Sequence, residues 1–422
     1  MSSKSLPDTA DVLIVGAGPA GLSAAITCAE HGLGVIAVDE YVKPGGRLLG
    51  QLHQEPDGHW WNGITEAERL LDQAAHLGVS IVCGVSVYHV ERIGEEWLVS
   101  TSEGAVRAAA LLLATGATET GAPIPGWTLP GVMSIGAAQV MTNVQRVRVG
   151  HRGVVIGLNI LSMAITRELQ VAGIDVNRVV LPVASPINHK ASHPQLVLES
   201  LLQAAHLAPS PFIRWGSRCL TTDWLKRLAV RCYPRRGVSM WGIPVQLRTA
   251  AAEIVGQEKV EAVRLIDVSP DGLPLPGSER EVACDFVCIA GGLSPLAELA
   301  AVAGCPFAYV PELGGHVPLH NERMQTPLKG LYVAGNITGI ESAKVAMAQG
   351  TVAGLSIADE RGRLGEPAKL QQAVQHVTEV RRQAIIQFHP AIEQGRSTVV
   401  QLFEKHLAGS ASAEHVQQQK EA

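Results

Sequence analysis

The stretch Asp11-Val-Leu-Ile-Val-Gly-Ala-Gly-Pro-Ala-Gly21 constrains the fold of this chain more than any other. An apolar strand runs into glycines 16, 18 and 21 at G-x-G-x-x-G spacing, and an apolar helix follows from Leu22 to His31. A second strand, Val35-Ile-Ala-Val-Asp39-Glu40, ends on an acidic pair. Strand, glycine turn, helix and terminal acid together make a dinucleotide-binding βαβ unit. Gly16 is expected to make the tight turn, Gly18 to let backbone approach a pyrophosphate, and Gly21 to let helix and strand pack closely. Ala17, Pro19 and Ala20 complete that turn, where the N–H groups and positive dipole end of the helix face the phosphates. Asp39, with Glu40 beside it, is the candidate to hold a ribose hydroxyl.

A length of 422 residues suggests two to three domains, and 46% hydrophobic against 17% charged residues fits a globular α/β chain. A net charge of -5 with scattered signs gives no reason to expect nucleic acid or an anionic membrane as partner. No apolar run is long enough to span a bilayer, and Met-Ser-Ser-Lys-Ser-Leu-Pro lacks the apolar core of a signal peptide, so a cytoplasmic location is expected. The seven cysteines form no C-x-x-C, and no metal ligand set is expected among them. Cys284 and Cys288 read as core residues on one face of a buried strand.

Along the chain, 63–78 reads as a helix, Ser80–Val87 and Trp97–Thr101 as strands, and Ala108–Gly116 as a buried strand closing on a small-residue turn. Gly153-Val-Val-Ile-Gly-Leu-Asn-Ile-Leu-Ser162 repeats the strand–turn–helix plan of the N-terminus imperfectly. An Arg- and Trp-rich stretch, 213–241, carries no clear pattern. Val245–Ala250 and Val260–Val268 suggest a hairpin. Gly330-Leu-Tyr-Val-Ala-Gly-Asn336 is a short strand ending in a glycine turn, and a helix of small residues follows. Two amphipathic helices, broken near His389-Pro390, are expected from Pro367 to Leu407, suited to covering the core or to a subunit contact.

Gly16-Ala-Gly-Pro-Ala-Gly21, Ala114-Thr-Gly-Ala117 and Tyr332-Val-Ala-Gly-Asn336, taken as a set, resemble the two-dinucleotide-binding-domain flavoproteins of the pyridine nucleotide–disulfide oxidoreductase superfamily. Pro125-Gly-Trp-Thr-Leu-Pro-Gly-Val-Met-Ser-Ile-Gly-Ala-Ala-Gln139 and Glu312-Leu-Gly-Gly-His-Val-Pro-Leu narrow the resemblance. They are similar to the FAD-binding alpha subunits of multi-subunit amine and imino-acid dehydrogenases: opine oxidase, dye-linked proline and hydroxyproline dehydrogenase, the hydrogen cyanide synthase flavoprotein subunit and heterotetrameric sarcosine oxidase. The fold implied is α/β, with two Rossmann-like dinucleotide-binding domains, the second inserted into a split FAD domain, plus C-terminal helices. The expected boundaries are 1–125 for the first part of the FAD domain and 126–277 for the inserted NAD(P)-like domain. Residues 278–365 would form the second part of the FAD domain, 366–408 the C-terminal helices and 409–422 a disordered tail. The resemblance implies that Gly16, Gly18, Gly21 and Asp39 hold the ADP half of FAD and that Gly46 and Arg47 line the pyrophosphate or ribityl chain. It implies further that Ala114, Thr115 and Gly116 approach the cofactor, that Gly335 and Asn336 contact its phosphate-ribityl chain, and that Ala343 places an N–H near the flavin pyrimidine edge.

Three departures shape the functional expectation. Gly157-Leu-Asn-Ile-Leu-Ser162 has Asn159 and Ser162 where the second and third glycines would stand, and Leu181-Pro-Val-Ala-Ser185 supplies no acid for a ribose. That domain is left to bind nothing, another adenine nucleotide, or NAD(P) poorly. No cysteine pair offers a redox disulfide, which excludes disulfide reductase chemistry. No cysteine follows Cys305, so an iron–sulfur cluster would need a separate subunit. His53 and His59, flanking Trp60-Trp61, and Arg235-Arg236 read as packing or surface groups, with a site role as the alternative. No side chain stands out as a general base. The expectation is an FAD-containing electron-transfer subunit working with a catalytic flavoprotein beta subunit. The alternatives are a stand-alone NAD(P)H-dependent reductase of a ferredoxin or rubredoxin type, and a non-redox structural subunit that binds nucleotide.

Overall fold

The computed structural model describes residues 6–55, 58–203, 215–216, 219–220 and 222–421. By their contacts they divide into two units: Met1–Leu49, Asn62–Thr118 and Leu293–Ala422 in the first, Gly50–Trp61 and Glu119–Gly292 in the second. The segment 50–61, which follows the Gly46-Arg47 loop directly, thus folds with the second unit.

The first unit begins β1 (Thr9–Val15), α1 (Pro19–Glu30), β2 (Val35–Asp39), α2 (Gly63–His76), β3 (Ser80–Cys83), β4 (Val87–Ile93), β5 (Glu96–Thr101) and β6 (Gly104–Leu113). Its sheet runs β3-β2-β1-β6-β5-β4. β1 lies parallel to β2 and β6, whereas β4, β5 and β6 form an antiparallel meander. Val12, Leu13 and Ile14 are fully buried, as a parallel strand covered on both faces requires. Their alternation feeds two cores: Val12 and Ile14 join Ala24 and Ala25 of α1, while Leu13 joins Val99 and Leu111. The run Ser80–Val87 is two strands rather than one, because the chain turns at Gly84.

The second unit holds β7 (Val132–Ser134), α3 (Ile135–Gln139), β8 (Arg152–Ile156), α4 (Ile160–Val171), β9 (Asp175–Pro182), β10 (Ile243–Val255), β11 (Ala262–Asp267), β12 (Arg280–Ala283) and β13 (Phe286–Ile289). Its sheet runs β7-β13-β8-β9-β10-β11-β12. The strands from β7 to β10 are parallel, and β10–β11 is the expected antiparallel hairpin. Of the Arg- and Trp-rich stretch, 213–214, 217–218 and 221 lie outside the described residues, and the remainder includes a helix, Asp223–Arg231. Cys284 and Cys288 do not share a face. A bend at Asp285 precedes β13, and Cys284 packs with Val287 and Ile289 while Cys288 packs with Phe286 and Val155 on the other side.

The chain then returns to the first unit, where β14 (Leu331–Val333) pairs parallel with β6. α5 (Ala343–Glu360) packs along α1 at backbone distance, since a Cβ at Gly350 would sit 2.1 Å from the Ala20 carbonyl oxygen. α6 (Pro367–Arg382) buries Leu370 and Val377 in the same core as α1. α7 (Ile392–Glu421) buries Ile392, Val399 and Phe403 against Leu313 and Val317. Its backbone continues through 409–421, where polar composition points to disorder.

Candidate functional site

In the first unit three glycine turns meet at the N-terminus of α1. Gly16 turns the chain with φ of 105°, and a Cβ there would lie 2.4 Å from the Ala114 carbonyl oxygen at the end of β6. A Cβ at Gly21 would lie 1.8 Å from the Gly16 carbonyl oxygen, so α1 rises directly from the turn. Gly46, at φ of 54°, comes so close that its Cβ would sit 2.9 Å from the Cα of Gly18. Gly335 brings in the third turn, where a Cβ would meet that of Ala20 at 2.8 Å. Gly18 is the helix N-cap and offers no side-chain acceptor, with Pro19 at the first helical position. The N–H groups of Ala20 and Gly21 therefore have no acceptor within the helix, and the first turn of α1 carries no acidic residue. This backbone cradle suits a pyrophosphate.

The Asp39 carboxylate is fixed beside the cradle. Its Oδ2 accepts the Ala17 N–H at 2.7 Å, and its Oδ1 accepts the Tyr41 N–H at 2.9 Å. Each oxygen keeps a lone pair, enough for a pair of ribose hydroxyls. Glu40 is exposed. Arg47 is also exposed and donates to the Ala117 carbonyl at 2.9 Å. The Thr115 hydroxyl donates to the Leu296 carbonyl, and the Leu296 N–H donates back to the Gly116 carbonyl at 3.1 Å. Asn336 turns its amide oxygen to the Glu341 N–H at 3.1 Å, shaping the run into Ala343, where Ser342 caps α5.

Gln349 belongs to this site without any motif to announce it. It is 1% exposed, and its Oε1 accepts the Gly335 N–H at 2.9 Å, while its Nε2 is buried with no partner. A buried unpaired donor beside the third turn is what a polar cofactor group would satisfy. The one signal in the sequence is a glutamine in an otherwise small and apolar helix segment, Val345-Ala-Met-Ala-Gln-Gly350.

The second unit shows the opposite arrangement at the matching place. Asn159 is the N-cap of α4, and its Oδ1 accepts the Ser162 N–H at 2.8 Å. Ser162 Oγ accepts the Asn159 N–H at 2.9 Å, which completes a capping box. The helix end that a pyrophosphate would use is occupied by the chain's own side chains. Asn159 Nδ2 also donates to the Ala290 carbonyl at 3.2 Å, tying the cap to the end of β13.

That unit also buries Glu168 of α4, which accepts from Gln139 at 2.8 Å and from Asn143 at 2.7 Å. Burial pushes its carboxyl up to about 7 despite these donors and the Leu52 N–H. An acid raised in the folded chain contributes stability at low pH and loses it as pH rises from about 4.5 through about 7. The expected cost at pH 8 is about 3 kcal/mol. Glu168→Gln should therefore unfold at a higher temperature than the native chain at pH 8 and show little change between pH 5 and 8. Equal pH slopes in thermal melts would contradict this.

The remaining candidates are placed as follows. His53 and Trp61 stack with ring centroids 6.2 Å apart, and Trp61 Nε1 donates to Gln51 at 3.2 Å, in the second unit rather than with the cradle. Arg235 and Arg236 form an exposed turn. All seven cysteines are free. Among the described residues no group of three or more His, Cys, Asp or Glu could hold a metal, and no helix is long and apolar enough to cross a membrane.

An opine oxidase subunit of Agrobacterium tumefaciens is 29% identical over 365 residues, covering 83% of this chain and 66% of that protein, just under two thirds of its length. The hydrogen cyanide synthase subunit HcnB of Pseudomonas protegens is 25% identical, covering 90% of this chain and 76% of that protein. The L-proline dehydrogenase of P. horikoshii shares the fold with a TM-score of 0.62 and 21% identity, over 87% of this chain and 59% of that one. The thioredoxin reductase of T. acidophilum shares it with a TM-score of 0.58 and 20% identity, over 84% of this chain and 99% of that one. Residues 10–181 and 230–350 match the family described as pyridine nucleotide-disulphide oxidoreductase, and these residues are more than half of the chain. The chain belongs to the pyridine nucleotide-disulphide oxidoreductase family and is an FAD-dependent oxidoreductase.

Proposed function

We propose that this chain is the FAD-containing electron-transfer subunit of a multi-subunit amine or imino-acid dehydrogenase, with substrate oxidised in a partner flavoprotein subunit. The carrying observation is the contrast between the two helix N-termini. Gly18 leaves the end of α1 open, whereas Asn159 and Ser162 close the end of α4. A flavin cradle paired with a plugged nicotinamide site needs electrons from elsewhere. The names of the opine oxidase and hydrogen cyanide synthase relatives, each a subunit of a larger enzyme, support a partner as that source.

In this reading Gly16, Ala17, Gly18, Pro19, Ala20 and Gly21 would hold the FAD pyrophosphate, Asp39 would hold the ribose, and Gly46, Arg47, Gly335 and Asn336 would border the rest. Ala114, Thr115 and Gly116 hold the floor of the turn, and Ala343, at the start of α5, would offer its N–H to the flavin. Bound FAD supplies two-electron redox chemistry, and the protein sets its position and potential.

Isolation of the complex, with mass analysis of its proteins and cofactors, tests the proposal. FAD should be extracted from this chain, and proline, sarcosine or an opine should reduce it anaerobically only when the co-purified partner is present. Reduction of the isolated chain by such a substrate would contradict a partner-borne oxidation.

A further inference from the structure

Two arginines from the C-terminal helices close on the turn between Asn336 and Ala343. Arg381 of α6 grips Glu341 with Nε on Oε1 at 2.5 Å and NH2 on Oε2 at 3.2 Å. Arg396 of α7 also donates to Glu341, and its NH1 donates to the Thr338 carbonyl at 2.6 Å and hydroxyl at 2.9 Å. His320 completes the cluster. Its Nδ1 lies 2.8 Å from the Pro318 carbonyl, an acceptor, so Nδ1 carries the proton and Nε2 turns a lone pair to Arg396 NH1 at 3.5 Å. Burial, followed by the charge of Arg396, drives this imidazole down to about 4, so it is neutral at neutral pH.

The charges do not cancel. One carboxylate faces two guanidinium groups and a neutral ring, which leaves one positive charge. Side-chain exposure is only 7% for Glu341, 11% for Arg381 and 12% for Arg396, so water screens that charge weakly. Arg396 is a second arginine on one carboxylate, and its Nε is buried without a partner, an arrangement that costs stability. The excess charge sits in the turn that leads into α5, whose N-terminus carries the same sign.

We infer that Arg381 and Arg396 position the cofactor turn and that their unbalanced charge raises the reduction potential of the FAD held there. The inference rests on the FAD reading above. Reduction places negative charge on the bound cofactor, and a fixed, weakly screened positive charge favours that state.

Equilibrium redox titration of FAD in the full chain, native and substituted, is the test. Arg396→Met leaves a balanced Glu341–Arg381 pair, and should favour reduction at least tenfold less, about 30 mV lower for a two-electron couple. Glu341→Gln leaves two positive charges and should shift the potential the opposite way, while Arg396→Lys should keep the native value. A purely structural clamp would lower FAD content in all three without shifts of opposite sign, and that result would overturn the inference. Should Arg396→Met fail to fold, Glu341→Gln against the native chain decides by the sign of its shift. A native chain that holds no FAD would refute the FAD reading itself. Bound FAD with unmoved potentials would refute this inference alone.

Discussion

Gly21→Ala is expected to abolish FAD retention and to lower the melting temperature of the chain. The added Cβ would lie 1.8 Å from the Gly16 carbonyl oxygen, and it meets backbone rather than a flexible side chain. Relief requires α1 to lift from β1, which disturbs the helix N-terminus and the pairing of α1 with α5. Overpacking of this kind costs about 3 kcal/mol or more, or roughly 100-fold in FAD affinity if the strain falls on the bound state. Gly18→Ala is the informative control. Its φ of -81° suits any residue, and the nearest atom to its Cβ is the Cα of Gly46 at 3.9 Å, so the chain itself has room. That variant should melt like the native chain without cofactor and still lose FAD, because its methyl occupies the approach of the pyrophosphate. Flavin absorbance of the purified proteins and melts of the stripped forms check both. Full FAD content in Gly18→Ala would remove the pyrophosphate from this turn.

Asp39→Asn is expected to weaken FAD binding as much as Asp39→Ala does. Both carboxylate oxygens already accept backbone N–H groups, from Ala17 and Tyr41. An amide must turn its NH2 toward one of those donors, so the nearly isosteric change breaks the loop geometry that alanine also loses. Hydrogen bonds to a charged acceptor contribute about 1.5–3 kcal/mol each. Loss of the ribose pair and one backbone bond gives roughly 100-fold or more in dissociation constant. Fluorescence titration of the stripped chain with FAD measures this. A near-native constant for Asp39→Asn would show that the carboxylate does not hold the ribose.

The first turn was legible because its glycines are demanded by backbone: Gly16 and Gly21 have no room for a Cβ, and that need is written directly as spacing. The plugged second turn was legible for a related reason, since Asn159-x-x-Ser162 is a side-chain cap in place of two glycines. The β10–β11 hairpin and the break between α6 and α7 followed from alternation and from His389-Pro390. Features built from distant partners left no such trace. Glu341 meets Arg381 and Arg396 across 40 and 55 residues, and no local pattern marks any of the three. Gln349 looks like a polar lapse in a small-residue helix until Gly335 is seen against it. Segment 50–61 belongs to the second unit, where Asn143 donates to the Gly50 carbonyl at 2.7 Å across 93 residues, a contact that no local pattern announces. Cys284 and Cys288 misled for the converse reason, because a bend at Asp285 resets the alternation that their spacing implies.

In the proposed function, the capped end of α4 keeps nicotinamide from feeding the FAD of the first unit. Anaerobic stopped-flow mixing of the FAD-loaded chain with NADH, and separately with NADPH, tests it directly through flavin absorbance. The absorbance is expected to stay unchanged over the time in which dithionite bleaches it fully. Rapid bleaching by either nucleotide would contradict a closed nicotinamide site and make the chain a nicotinamide-fed reductase.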